Sequence, residues 1–117
     1  MTTAQKVAFA WAVQTYGPKA RARRYQALRF LEEAMELAQA LGLTYDDMDY
    51  VANYVNARRI GSANVEIGDV RLSLDILAES IGLSSEQCYE DCLTRIAALD
   101  SAQTRERDEG KIAAGLI

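Results

Sequence analysis

From Lys19 to the end of the chain there is no proline, and that unbroken run decides most of what this sequence can fold into. At its centre lies Arg29–Gln39, Arg-Phe-Leu-Glu-Glu-Ala-Met-Glu-Leu-Ala-Gln, made of strong helix formers with no breaker among them. At about 100° per residue, Leu28, Leu31, Ala34, Met35, Ala38 and Leu41 form an apolar flank. Glu32, Glu33 and Glu36 gather on the other side. A carboxylate group opposite an apolar stripe is ordinarily a solvated face. A second acidic pair, Glu66 and Asp69, raises the alternative that the two groups work together.

Helical periodicity recurs along the whole chain, and Val/Thr alternation of the strand kind is nearly absent. The expectation is an all-α bundle of about five helices in one domain spanning residues 1–117. A first helix is predicted over 3–15, ended by Tyr16-Gly17-Pro18, with Trp11 in the core. A second is predicted over 19–41, stopping at Gly42. Thr44 opens a third through a capping box with Asp47 in the usual Glu position, running out near Arg58 and Arg59. After a loop at 60–64, a fourth helix is predicted over 65–81, stopped by Gly82. Ser84 opens the fifth, with Gln87 at the capping-box position and Cys88 and Cys92 as small buried residues on its apolar stripe. Residues 101–117 read as a charged tail whose helix frays, with Ile112 onward free to dock or stay loose.

Charge is unevenly spread. Residues 1–31 hold Lys6, Lys19, Arg21, Arg23, Arg24 and Arg29 and no acid, so the net −4 leaves −10 on the remainder. This basic arm is either a solvated face or an anion site. The pI of about 4.8 argues against a broad nucleic-acid footprint. No apolar run approaches the ~20 residues of a membrane span, and no signal-peptide pattern opens the chain, which points to the cytoplasm. Histidine is absent, which removes His-based general bases, His-activated nucleophiles and His-bearing zinc or di-iron sites.

The fourth helix is where a purely solvated reading meets difficulty. Arg71, Asp75 and Glu79 form one polar side. Val65, Leu72 and Ile76 make one apolar band, and Ile67, Val70, Leu74, Leu77 and Ile81 make another. Glu66 and Asp69 fall between the bands and are expected to be buried. Burying an unpaired carboxylate costs several kcal/mol, so a cationic partner is required. Arg29, beside Glu33 and Glu36, could form one ion pair. A divalent cation could neutralise more, and an oxygen-only ligand set suits Mg²⁺, with Mn²⁺ as a substitute. Both readings stand on the residues alone.

Glu32-Glu33-x-x-Glu36 followed by Glu66-x-x-Asp69 resembles the signature of the all-α NTP pyrophosphohydrolases, the MazG-like superfamily, over roughly residues 20–100. The words Arg-Phe-Leu-Glu-Glu-Ala-Met-Glu-Leu-Ala-Gln and Glu-Ile-Gly-Asp-Val look like those of small phage and bacterial members. The resemblance implies a four-helix core and a Mg²⁺-dependent enzyme. It implies cleavage of nucleoside triphosphates between the α and β phosphates, releasing a monophosphate and pyrophosphate. It assigns Glu33, Glu36, Glu66 and Asp69 as metal ligands and leaves Glu32 either to support those ligands from behind or to act on the water. It also implies a homodimer or larger homo-oligomer. The 29 residues separating Glu36 from Glu66 exceed the usual gap slightly, and a whole helix fits there. For the phosphate-gripping element the candidates are Arg58, Arg59, Arg95 and Lys111. Competing expectations are an inactive nucleotide sensor and a helical interaction module whose basic arm binds nucleic acid.

Overall fold

A computed structural model describes residues 1–116; the last position of the predicted tail lies outside them. The fold is all-α, as expected. The chain forms α1 (Thr3–Tyr16), a 3-10 turn (Pro18–Arg21), α2 (Arg23–Ala40), α3 (Tyr45–Asn56), α4 (Ala63–Ser80), α5 (Ser85–Ala97) and α6 (Ser101–Ala113), with no strand among the described residues. Among the described residues, no helix is long and apolar enough to cross a membrane.

Local chemistry places most of these ends. Thr44 Oγ1 accepts from the Asp47 amide at 3.3 Å, and Asp47 Oδ2 accepts from the Thr44 amide at 2.8 Å. That is the predicted reciprocal box at the start of α3. At α5 only half of the box forms. Ser84 Oγ accepts from the Gln87 amide at 3.1 Å, while the Gln87 side chain turns away to Asp91. Gly42 and Gly82 stop α2 and α4 at φ of 90° and 74°. The next amides, of Leu43 and Leu83, reach back to the carbonyls of Ala38 and Ala78 at 3.1 and 3.0 Å. Such a reversal needs a residue without a Cβ penalty at positive φ. The predicted second helix is two pieces: Ala22 is extended at φ −76°, ψ 129°, and divides the 3-10 turn from α2.

The described chain divides into two compact units, residues 1–52 with the chain from Asp100 onward, and Asn53–Leu99. In the first, Ala20 is fully buried, and Tyr16 and Tyr25 are each 7% exposed, with Trp11, Ala12 and Val13 packed around them. Trp11 meets Tyr16 edge-on, the ring centroids 5.7 Å apart. Around this small apolar centre runs a polar network. Asp108 of α6 is 2% exposed and receives Arg29 Nη1 at 2.8 Å, Lys19 Nζ at 3.0 Å and the Tyr25 hydroxyl at 2.7 Å. Arg29 also lies over the Tyr16 ring, 4.3 Å from its centroid, and donates to the Tyr16 hydroxyl. Arg105 donates to the carbonyls of Thr15 and Gln14 at 2.8 and 2.7 Å, satisfying acceptors left open at the end of α1.

The expected fraying tail is therefore corrected: α6 is a docked helix. Asp100 caps it by accepting from the amides of Ala102 and Gln103, and Arg105 and Asp108 tie it to α1 and α2. The second unit holds the end of α3 with α4 and α5. Ser85 Oγ donates to Asp75 Oδ1 at 2.8 Å, pinning the start of α5 to α4. No residue of 53–99 is buried. Cys88 is exposed and Cys92 partly so, which corrects their expected burial.

Asp108 generates a stability prediction. Burial pushes its carboxyl up, but the hydrogen bonds from Tyr25 and Lys19 and the charges of Lys19 and Arg29 outweigh that and hold it below the usual range. Its contribution is complete above the ordinary Asp value and is lost as pH falls through the lowered folded value. Asp108→Asn should cost about 3 kcal/mol at pH 7, because two cations lose their counter-charge. In urea titrations the difference between wild type and Asp108→Asn should shrink from pH 5 towards pH 3; an equal gap at both values would count against the network.

Candidate active site

The first acidic group stands on α2. Three- and four-residue spacings put Glu32, Glu33 and Glu36 within one turn of each other. Glu33 and Glu36 are exposed and Glu32 is partly buried. Lys111, one turn beyond Asp108 on α6, places Nζ 2.7 Å from Glu32 Oε1. That hydrogen bond, with Lys111's charge, outweighs partial burial and holds the Glu32 carboxyl below the usual range. Glu36 is pushed the opposite way, first by the charge of Glu33, then by burial and by its hydrogen bond with Glu32. The row thus carries more negative charge than its one cation answers. Beside it lies a groove of about 370 Å³ lined by Leu28, Leu31, Glu32, Met35, Glu36, Gln39, Met48 and Leu116.

The second acidic pair stands on α4, in the other unit. Glu66 and Asp69 are both exposed, so the expectation that they are buried is corrected. Neither of the two apolar bands of α4 is enclosed in this unit. Glu66 and Asp69 instead line a cleft of about 690 Å³ together with Tyr54, Val55, Arg58, Arg59, Ile60, Gly61 and Ala63. Arg58 donates to the Tyr54 hydroxyl at 2.6 Å, and its guanidinium lies 5.3 Å from that ring's centroid. The i,i+4 spacing of Tyr54 and Arg58 is the sequence signal for this pair. Gly61 escaped notice: a Cβ there would stand 2.5 Å from Glu66 Oε1, so the bare backbone lets that carboxylate lie across the loop.

Of the four candidate phosphate ligands, Arg58 and Arg59 share the cleft with Glu66 and Asp69. Lys111 is committed to Glu32. Arg95 is exposed near the end of α5 and lines neither cavity. Within each unit, among the described residues, no three Cys, Asp or Glu side chains gather closely enough to hold a metal ion. Each unit offers a hard-oxygen pair instead, Glu33 with Glu36 and Glu66 with Asp69. Such pairs suit Mg²⁺, which keeps several waters and takes one or two carboxylates plus substrate phosphates in place of a full protein cage.

The Lys111–Glu32 pair yields a direct check. Lys111→Met should return the Glu32 carboxyl upward towards its ordinary value, and Glu36, which Lys111 pulls down, should rise further. Carbon-detected NMR titration of the glutamate carboxyls measures both; unmoved titrations would mean that the pair does not form in solution. No family model, curated protein or solved structure matches the chain.

Proposed function

We propose that this chain is a MazG-like, Mg²⁺-dependent nucleoside triphosphate pyrophosphohydrolase, acting on the cytoplasmic nucleotide pool. The observation that carries the reading is the cleft in which Glu66 and Asp69 face the same space as Arg58 and Arg59. A triphosphate is a polyanion, and a cleft lined by acid alone would repel it. An acid pair beside two guanidinium groups suits a phosphate chain that arrives with a hard cation. The motif spacing on α2 and α4, and the absence of histidine, support the same chemistry.

In this reading the metal-holding carboxylates are two pairs, Glu33 with Glu36 on α2 and Glu66 with Asp69 on α4, each within its own unit. Mg²⁺ at these carboxylates would neutralise phosphate charge and lower the pKa of a bound water. Arg58 and Arg59 grip the outer phosphates, Arg58 being oriented by the Tyr54 hydroxyl. Water attacks the α phosphorus; its oxygen bonds there as the bond to the bridging α–β oxygen breaks, and pyrophosphate leaves. Glu32, kept ionised by Lys111, accepts the water's proton.

Two experiments test this. A panel of standard NTPs and dNTPs with Mg²⁺ should show at least one converted to monophosphate and pyrophosphate. Glu33→Gln and Glu66→Gln should lose at least 100-fold in kcat/KM, roughly 3 kcal/mol of transition-state stabilisation. Arg58→Ala should act mainly on KM. Release of inorganic phosphate would place the cut at the γ phosphorus and sink the assignment. Absence of turnover with metal still bound would favour a nucleotide sensor. Independently of turnover, millimolar Mg²⁺ or Mn²⁺ should raise Tm, because a ligand of the folded state stabilises it. Asp69→Asn should abolish that rise, and an undiminished rise would move the metal elsewhere.

A further inference from the structure

The acid-free stretch at residues 1–31 plays no part in the proposed chemistry, and the fold divides its six cations into two sets. Lys19 and Arg29 are committed to Asp108. Lys6, Arg21, Arg23 and Arg24 are exposed, and among the described residues no carboxylate lies within ion-pair distance of any of them. The three arginines stand at the corner where the 3-10 turn passes through the extended Ala22 into α2. That corner is held in place: Ala20 is fully buried, and Gln26 Nε2 donates to its carbonyl at 2.8 Å. Arg23 and Arg24 occupy the first turn of α2, which carries no acid and has no side-chain cap. The positive end of the helix dipole lies at the same place, so like charge gathers there with nothing on the protein to answer it. An aromatic ring joins the patch. Phe9 of α1 is 45% exposed, and the Arg21 guanidinium lies 5.8 Å from its centroid. Lys6, three residues before Phe9, shares its side of α1. The whole face, from Lys6 over Phe9 to the arginines, belongs to one unit.

We infer that this face binds a short stretch of single-stranded nucleic acid. Guanidinium groups pair with phosphate through two parallel hydrogen bonds. Arginines beside an exposed ring offer a strand both charge for its backbone and a surface on which a base can stack. A duplex hides its base faces, and an acidic peptide would answer the charge but leave the ring idle. An anionic bilayer needs a continuous apolar side on a helix, whereas the exposed Val7 and Phe9 of α1 lie about 200° apart. The acidic remainder of the chain repels a longer strand. The footprint is therefore narrow, about four phosphates for four cations, which agrees with a pI of about 4.8.

This inference does not depend on the catalytic reading: the probes carry no triphosphate and the buffer no divalent metal. Fluorescence anisotropy is read with the full-length chain and labelled 5′-hydroxyl oligo(dT) and oligo(U) of about twelve nucleotides. At low salt a Kd of about 1–100 μM is expected, with log K falling against log salt at a slope of about −2.8. Replacing two arginines together, Arg23→Ala with Arg24→Ala, should flatten that slope by about 1.4. Phe9→Ala should raise Kd at least about fivefold and leave the slope unchanged, because the ring carries no charge. Both sites are exposed, so helical circular dichroism should match wild type, and Arg23→Lys with Arg24→Lys should keep the slope. Arg71→Ala, in the other unit, should change Kd less than twofold. Absence of binding at low salt would overturn the inference. An unaltered slope in the double alanine variant would overturn it too, by moving the strand to other cations such as Arg58 and Arg59. So would an unchanged Kd in Phe9→Ala, equally tight binding of polyglutamate of matched charge, or displacement by tripolyphosphate at equal phosphate concentration, the last marking a site for free anions.

Discussion

A carboxylate taken out of water has to be answered by charge and hydrogen bonds, and in the first unit Asp108 sets that requirement. Its two oxygens receive two cations and a phenol, and every donor comes from the 3-10 turn or α2. The apolar centre there is small, three buried residues with Trp11, Ala12 and Val13 around them. It is the polar network that fixes where α6 lies and in which register. Once Asp108 is fixed, the 3.6-residue period brings Lys111 to Glu32, one turn further along both helices. The electrostatics of the acidic row on α2 are therefore set by a residue that never touches it.

The two acidic groups differ in kind. On α2 three carboxylates crowd together, one is answered by lysine, and the strain of like charge shows in Glu36. On α4 two carboxylates stand in the open, sharing a cleft with two arginines. The first group has a surplus of negative charge, and the second has its balance close by.

What was legible in the sequence was local. The all-α class, the Thr44–Asp47 box and the stops at Gly42 and Gly82 depend on residues within one helical turn, and each appears in the fold. What was not legible depended on partners far along the chain. α6 read as a fraying, over-charged tail because its counter-charges lie 79 or more residues away. Periodicity placed Glu66 and Asp69 between two apolar bands, but it says nothing about what covers a band. Their burial was inferred from the pattern, and the structure leaves them exposed. The break at Ala22 had no signal beyond an unremarkable Arg-Ala-Arg-Arg run.

The long reach of α6 also bears on how the chain is made. The contacts that close the first unit join residues 79 to 91 positions apart. α6 is translated after α1 and α2, so during synthesis the Arg29 and Lys19 charges wait for a carboxylate not yet made. Asn53–Leu99 emerges in between, as a long loop whose ends must be brought together before the network can form. Loop closure grows only logarithmically with length, so the thermodynamic cost is modest, while the kinetic cost falls on the search. Until α6 has been translated, the first unit lacks the carboxylate on which its polar network converges.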